Sequence, residues 1–307
     1  MRMPKAAIQP PALRKGQTIG IMCPAGHMPL ARIRKAVQTL ETWGYIVTVG
    51  ATVGSGEHYF SGTDQERCTE LQQMLDDPSI HAILFARGGY GLGRIIDQLD
   101  FRKFRKHPKW LIGFSDITVL HAHIHARYGI ATLHAPMAGA FNDGGHRGES
   151  VASLQRALNG KKARYGASVH PFNHPGEARG PLVGGNLALL AHLVGTPSMP
   201  DTRGKILFLE DVGEYLYNID RMLYQLKRAG VFDQLAGLVI GGFTDCKDTE
   251  RPFGKTVDEI FNDLLKPYRF PVCYGFPVSH GKENLALKVG AAYQLKVTAK
   301  KVSLNEA

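Results

Sequence analysis

The stretch WLIGFSDIT, residues 110–118, runs from an apolar segment through Gly113 to Ser115 and then into a segment of helical character. A strand that turns sharply into a helix lifts the intervening side chain above the carboxyl edge of a sheet, where open α/β folds bind ligands. A serine there has helix N-terminal N–H groups nearby, which suits a nucleophile whose attack creates an oxyanion. Serine is also a preferred helix N-cap. On this stretch alone, cap and nucleophile are equally good readings of Ser115.

A serine nucleophile needs a general base, and the base needs an orienting partner. Among thirteen histidines, His280 has the most suggestive context, because GFPVSHGKEN closes an apolar run and Gly281 opens a loop. For the acid, KILFLEDVGE places Glu210 and Asp211 at the end of a strongly apolar run, with Glu214 close behind. Local sequence does not choose among these three carboxylates. The glycine-rich FARGGYGLGR, residues 85–94, has G-x-G-x-G spacing and lacks an acid about 20 residues on, so it is a poor dinucleotide fingerprint. Its glycines can instead bring backbone N–H groups close to a substrate, as a second arm of an oxyanion hole. HAHIHA, residues 121–126, places only His121 and His125 on one helical face without the acid of a zincin helix, so it reads as scaffold and not as a metal site.

The elements that must position these groups follow from hydrophobic period. In the first half, short apolar runs at 18–26, 45–50, 82–89, 110–115 and 130–137 alternate with segments of helical spacing. That alternation is the signature of a parallel sheet covered by helices. One such helix carries Leu30, Ile33, Val37 and Leu40; another begins at Thr63 or Asp64 and ends before Pro78. Glycine, asparagine, histidine and proline dominate from about 138 to 180, read as the connection between two halves. Apolar runs at 205–213, 237–243, 271–281 and 285–297 make the second half richer in strand, with a helix near NIDRMLYQLKRAG.

The 307 residues suit two domains, expected as 1–165, carrying Ser115, and 181–307, carrying the acid and base, with 166–180 between them. No apolar run is long enough to span a bilayer and no export signal is visible, so the expectation is a cytoplasmic protein. Four cysteines far apart form no C-x-x-C pair, which suits a reducing compartment. The formal charge of +10 is scattered. In its densest cluster, FRKFRKHPKW, Phe101 and Phe104 fall on one side of a helical turn, which favours a buried face over nucleic-acid binding.

Taken together, CPAGH, FSGTDQERCTELQQMLDDPSIHAILFARGGYG, WLIGFSDITVLHAHIHARYGIATLHAPM, GPLVGGNLALLAHLVGTP, KILFLEDVGEYLYNIDRMLYQL and FPVSHG resemble, in order, the LD-carboxypeptidases. These serine peptidases include the muramoyl-tetrapeptide carboxypeptidases. The resemblance runs from about residue 17 to 297. It implies a triad of Ser115, Glu210 and His280, with the amides of Gly89 and Asp116 as oxyanion hole. It also implies a flavodoxin-like N-terminal layer with helices on both faces, a β-rich swivelling C-terminal domain, a homodimer, and no metal or organic cofactor. The implied reaction is hydrolysis of the L,D-peptide bond before a terminal D-alanine of a muropeptide in cell-wall recycling. A substrate carboxylate calls for a cation, for which Arg87 and Arg221 are candidates, and Tyr90 is a candidate substrate contact. The competing expectations are a relative of the microcin-immunity peptidases, which cleave a peptidyl-nucleotide antibiotic, and a non-catalytic muropeptide binder.

Overall fold

A computed structural model describes residues 5–56, 58–142 and 144–307. In chain order the first half forms β1 (Thr18–Met22), α1 (Arg34–Thr42), β2 (Ile46–Val49), α2 (Asp64–Asp76), β3 (Ile80–Phe85), α3 (Arg102–Lys106), β4 (Trp110–Gly113), α4 (Thr118–Tyr128), β5 (Thr132–His134) and α5 (Glu149–Leu158). The remainder forms β6 (Arg164–Ala167), β7 (Gly176–Asn186), α6 (Leu187–Leu193), β8 (Ile206–Val212), α7 (Leu216–Arg228), β9 (Gly237–Thr244), α8 (Val257–Leu265), β10 (Val272–Cys273), β11 (Leu287–Val289), β12 (Ala292–Val297) and β13 (Val302–Glu306).

The first sheet has the order β11-β5-β4-β3-β1-β2. Strands β1 to β5 are parallel, as the βα alternation requires, and β11 returns from the second half to pair antiparallel with β5. Parallel strands are buried on both faces and therefore read as continuous apolar runs. Strand β3 illustrates this, sending Ile83 and Phe85 into one core and Ala82 and Leu84 into another. The first core is filled by α2, through Leu71 and Leu75, and by α4, through Leu120 and Ile124. The second is filled by α1, through Ala36 and Leu40, and by α5, through Leu154 and Leu158. Thr63 and Glu66 close a reciprocal capping box that starts α2, and Gly129, at φ +61°, stops α4. Phe101 and Phe104 are buried around α3, as their spacing requires.

The second sheet has the order β10-β9-β8-β7-β12-β13-β6, parallel from β7 to β10 and antiparallel from β7 to β6. Helices α6, α7 and α8 cover one face through Leu190, Leu223 and Phe261. Val183, Leu207 and Leu238 from that face belong to the same continuous core as α2 and α4, so the two halves share an interior. Three features differ from the sequence expectation. Strands β6 and β13 have no counterpart in it, β7 begins inside the segment expected to connect the halves, and the expected strand at 285–297 divides into β11 and β12 around Gly290 at φ +91°.

Candidate active site

Ser115 sits between β4 and α4 with φ +63°. A non-glycine residue in the left-handed region stores of order 1–3 kcal/mol and persists only where the surroundings over-determine it. The N-cap of the short 3-10 turn Ser115–Ile117 is Phe114 and that of α4 is Ile117, so Ser115 occupies neither cap position. The serine hydroxyl is therefore not employed as a cap. The glycine-rich loop lies against this turn: a Cβ on Gly88 would stand 3.0 Å from Ser115 Cβ and 3.1 Å from the Asp116 amide nitrogen. Gly89 follows at φ +96°, a conformation that favours glycine.

Glu210, at the end of β8, is fully buried, and its Oε2 accepts the Nδ1–H of His280 at 2.6 Å. A carboxylate can only accept, so in the neutral imidazole the proton lies on Nδ1 and Nε2 carries the lone pair. That Nε2 is buried and has no hydrogen-bond partner among the described residues, so a Ser115–His280 bond is not formed in this state. Such contacts are commonly long in unliganded enzymes and tighten around substrate. The imidazole is 16% exposed and packs 4.7 Å, centroid to centroid, from the ring of Phe114, the residue preceding Ser115.

The two halves meet through a short chain of contacts. Asn186 at the end of β7 pairs in register with Glu210, and its N–H donates to Thr118 Oγ1 at 3.1 Å, three residues beyond Ser115. Asn186 also caps α6, accepting from the Leu189 N–H. The geometry separates the three carboxylates that sequence left open. Asp211 accepts from Asn186 Nδ2 at 2.7 Å and from the backbone N–H groups of Ala188 and Val212. Burial pushes its carboxyl up to about 6, and it serves the start of α6. Glu214 accepts from Asn218 on α7. Glu210 alone of the three bonds His280.

Asp116 is buried, its Oδ2 accepts the Leu92 N–H at 2.9 Å, and burial pushes its carboxyl up to about 6. The side chain thus ties the glycine-rich loop to the turn whose backbone N–H it also carries. The Gly89 N–H has no partner among the described residues. Two cavities flank the turn. One, of about 770 Å³, is lined by Gly89, Tyr90, Asp116, Val119, His192 and Leu193 among others. The other, of about 510 Å³, lies beyond the ends of β1, β3, β4 and β5 and is lined by Arg32, Arg87, Phe114 and Met137 among others.

The remaining candidates are placed as follows. Arg87 lines the smaller cavity while its Nη1 donates to the His27 carbonyl at 2.8 Å. Tyr90, 53% exposed, stands at the larger cavity with its ring 5.9 Å from Phe60. Arg221 bonds Asn218 and lies over the Tyr217 ring on its own helix, and it lines neither cavity. His121 donates Nε2–H to the Gly113 carbonyl at 2.8 Å; it and His125 are buried, and burial pushes both imidazoles down to about 4. Sequence reading missed Gly88, Asn186 and Tyr59, whose hydroxyl lies 3.2 Å from where a Gly89 Cβ would be. An asparagine before the apolar run LALLAHL is a visible cap signal for Asn186. Tyr59 comes from a loop distant in sequence and carries no such signal.

A strained serine on a strand-to-helix turn, whose preceding phenylalanine packs on the imidazole of a buried carboxylate–imidazole pair, suits a two-sheet α/β serine hydrolase. Residues 19–135 match the family model of the LD-carboxypeptidase N-terminal domain and residues 179–295 that of its C-terminal domain. A probable murein peptide carboxypeptidase of Bacillus subtilis is 37% identical over 97% of this chain and 94% of that protein. The crystal structure of a muramoyltetrapeptide carboxypeptidase from Oxalobacter formigenes aligns with a TM-score of 0.87 at 29% identity, covering 95% of this chain and 99% of that one. A microcin C7 self-immunity protein of Escherichia coli is 27% identical over 96% of this chain and 94% of that protein. The chain belongs to the LD-carboxypeptidase family.

Proposed function

We propose that this enzyme is a serine carboxypeptidase that hydrolyses the L,D-peptide bond before the terminal D-alanine of murein tetrapeptides, in cell-wall recycling. The observation that carries the reading is the Glu210–His280 bond, which leaves the buried Nε2 lone pair without a partner among the described residues, on an imidazole packed against Phe114, the residue before the strained Ser115. His280 takes the Ser115 proton as the oxygen attacks the carbonyl, and Glu210 holds the tautomer and offsets the imidazolium charge. The Gly89 and Asp116 N–H groups receive the oxyanion, an effect worth about 3–4 kcal/mol per donor in comparable sites. His280 then returns the proton to the departing D-alanine nitrogen, and water attacks the acyl-enzyme by the same route.

The cavities support a peptide substrate. Arg87 supplies a cation for the terminal carboxylate beside apolar Met28 and Met137, and the larger cavity next to Gly89 has room for the rest of the peptide. The choice of an L,D bond rests on the LD-carboxypeptidase family description, and that of a tetrapeptide on relatives such as the muramoyltetrapeptide carboxypeptidase from Oxalobacter formigenes. A second reading is favoured by Tyr59 and Tyr90, 54% and 53% exposed beside Gly89, which suit stacking on a planar base. A microcin C7 self-immunity protein was solved in complex with aspartyl sulfamoyl adenosine. Mass spectrometry of products from murein tetrapeptide, its all-L isomer and a peptidyl-nucleotide separates these readings. Release of D-alanine from the first alone supports the proposal, whereas cleavage of the nucleotide conjugate alone transfers it to the second.

A further inference from the structure

Arg67 lies on α2, with its side chain fully buried, and no part of the mechanism above uses it. Its guanidinium makes four bonds to three separate segments. Nη1 donates to the carbonyls of Pro24 at 2.6 Å and Gly91 at 3.2 Å, Nε donates to the Gly62 carbonyl at 3.4 Å, and Nη2 bonds Asp64. The Phe60 ring covers it, with the Arg67 Cζ 4.9 Å from the ring centroid. Gly91 gives it access: at φ +148°, a Cβ there would stand 2.8 Å from Nη1.

A buried cation is expensive, and apolar residues of similar volume commonly replace one without loss of stability. Packing alone therefore gives no reason for a guanidinium here. What the fork does, and an apolar chain would not, is grip the glycine-rich loop at Gly91. On the adjacent residue, the Leu92 N–H is held by the Asp116 carboxylate. The loop is thus clamped by its carbonyl to α2 and by its N–H to the Ser115 turn. Gly89, two residues before the clamp, has an N–H without a partner among the described residues and a backbone with the conformational latitude of glycine.

We propose that Arg67 is a positioning residue for the reaction, its guanidinium holding residues 89–92 so that the Gly89 N–H points where the oxyanion forms. The proposal rests on the reading of Ser115 as nucleophile and Gly89 as oxyanion donor. A donor must stand within about 3 Å of the developing oxyanion, and loosening it weakens the transition state more than the bound substrate.

The test compares wild type with Arg67→Met, Arg67→Lys and Ser115→Ala, using murein tetrapeptide turnover and hydrogen exchange. Arg67→Met is expected to lower kcat about 10- to 100-fold with KM within threefold, and to speed exchange in residues 88–93 while leaving α7 and α8 unchanged. Arg67→Lys keeps the charge but cannot span all four partners, so its kcat is expected between the two. It also carries the test should the Met variant fail to fold. Wild-type kcat in both Arg67 variants, or unchanged exchange in 88–93, overturns the proposal. Because exchange is independent of turnover, it separates failure of the clamp from failure of the reading, which Ser115→Ala reports by retaining wild-type activity.

Discussion

His280 donates Nδ1–H to a fully buried carboxylate, and this single bond decides which ring nitrogen carries the lone pair. Replacing Glu210 with Gln keeps the shape but presents an amide that can orient the other tautomer, so kcat is expected to fall about 10³- to 10⁴-fold. Asp211 stands next to it in sequence yet serves α6, so Asp211→Asn is expected to cost about 1 kcal/mol of stability with kcat within tenfold of wild type. Steady-state kinetics and urea unfolding of the two variants check both statements. A larger kcat loss in Asp211→Asn than in Glu210→Gln would contradict the assignment of the acid. The sequence alone could not make this choice, because adjacent residues on a strand point to opposite faces and which face meets His280 depends on residues 70 positions away.

At the scale of elements, the site depends on α4 lying close to β7. Gly185 makes that approach possible: at φ +141°, a Cβ there would meet Thr118 Oγ1 at 2.5 Å and Cγ2 at 2.7 Å. Gly185→Ala is therefore expected to destabilise the protein by about 1–3 kcal/mol and to lower kcat by displacing the Ser115 turn from Glu210 and His280. A thermal melt with an unchanged midpoint and unchanged kcat would contradict this. The same glycines explain what was legible. Strands β1, β3, β4, β8 and β9 are apolar runs buried on both faces and are visible as such. Strand β7, with Gly180 and Gly184 where neighbouring backbone leaves no room for a side chain and Gly185 where the Thr118 side chain leaves none, reads as a loop, although it is 11 residues long and central to its sheet. Strand β11 is short and pairs with residues some 150 positions earlier, a contact no local period announces. Ser115 was legible as a strand-to-helix turn residue, but its φ of +63° and its place one residue inside the Phe114 cap are visible only in three dimensions.

Across the whole molecule, both halves share one core, and buried ionisable groups lie within and around the site. Burial pushes His121 and His125 down to about 4 and His134 down to about 3. Their unfolded-state values are higher, so unfolding takes up protons between about pH 4 and 6.5 and stability falls as pH falls through that window. Asp116 and Asp211, pushed up to about 6, act in the opposite sense between about pH 4 and 6, because their ionisation costs the folded state. Three imidazoles outweigh two carboxylates, so the urea midpoint is expected to drop from pH 7 to pH 5. A midpoint that holds or rises at pH 5 would contradict that balance.

On the proposed mechanism, Ser115 forms an acyl-enzyme and releases one D-alanine. That step is tested most directly by following free D-alanine from murein tetrapeptide with wild type and Ser115→Ala. Wild type is expected to yield stoichiometric D-alanine and tripeptide, and the variant a rate at least about 10⁴-fold lower. Intact tetrapeptide after prolonged incubation with wild type, or equal release by Ser115→Ala, would contradict the mechanism.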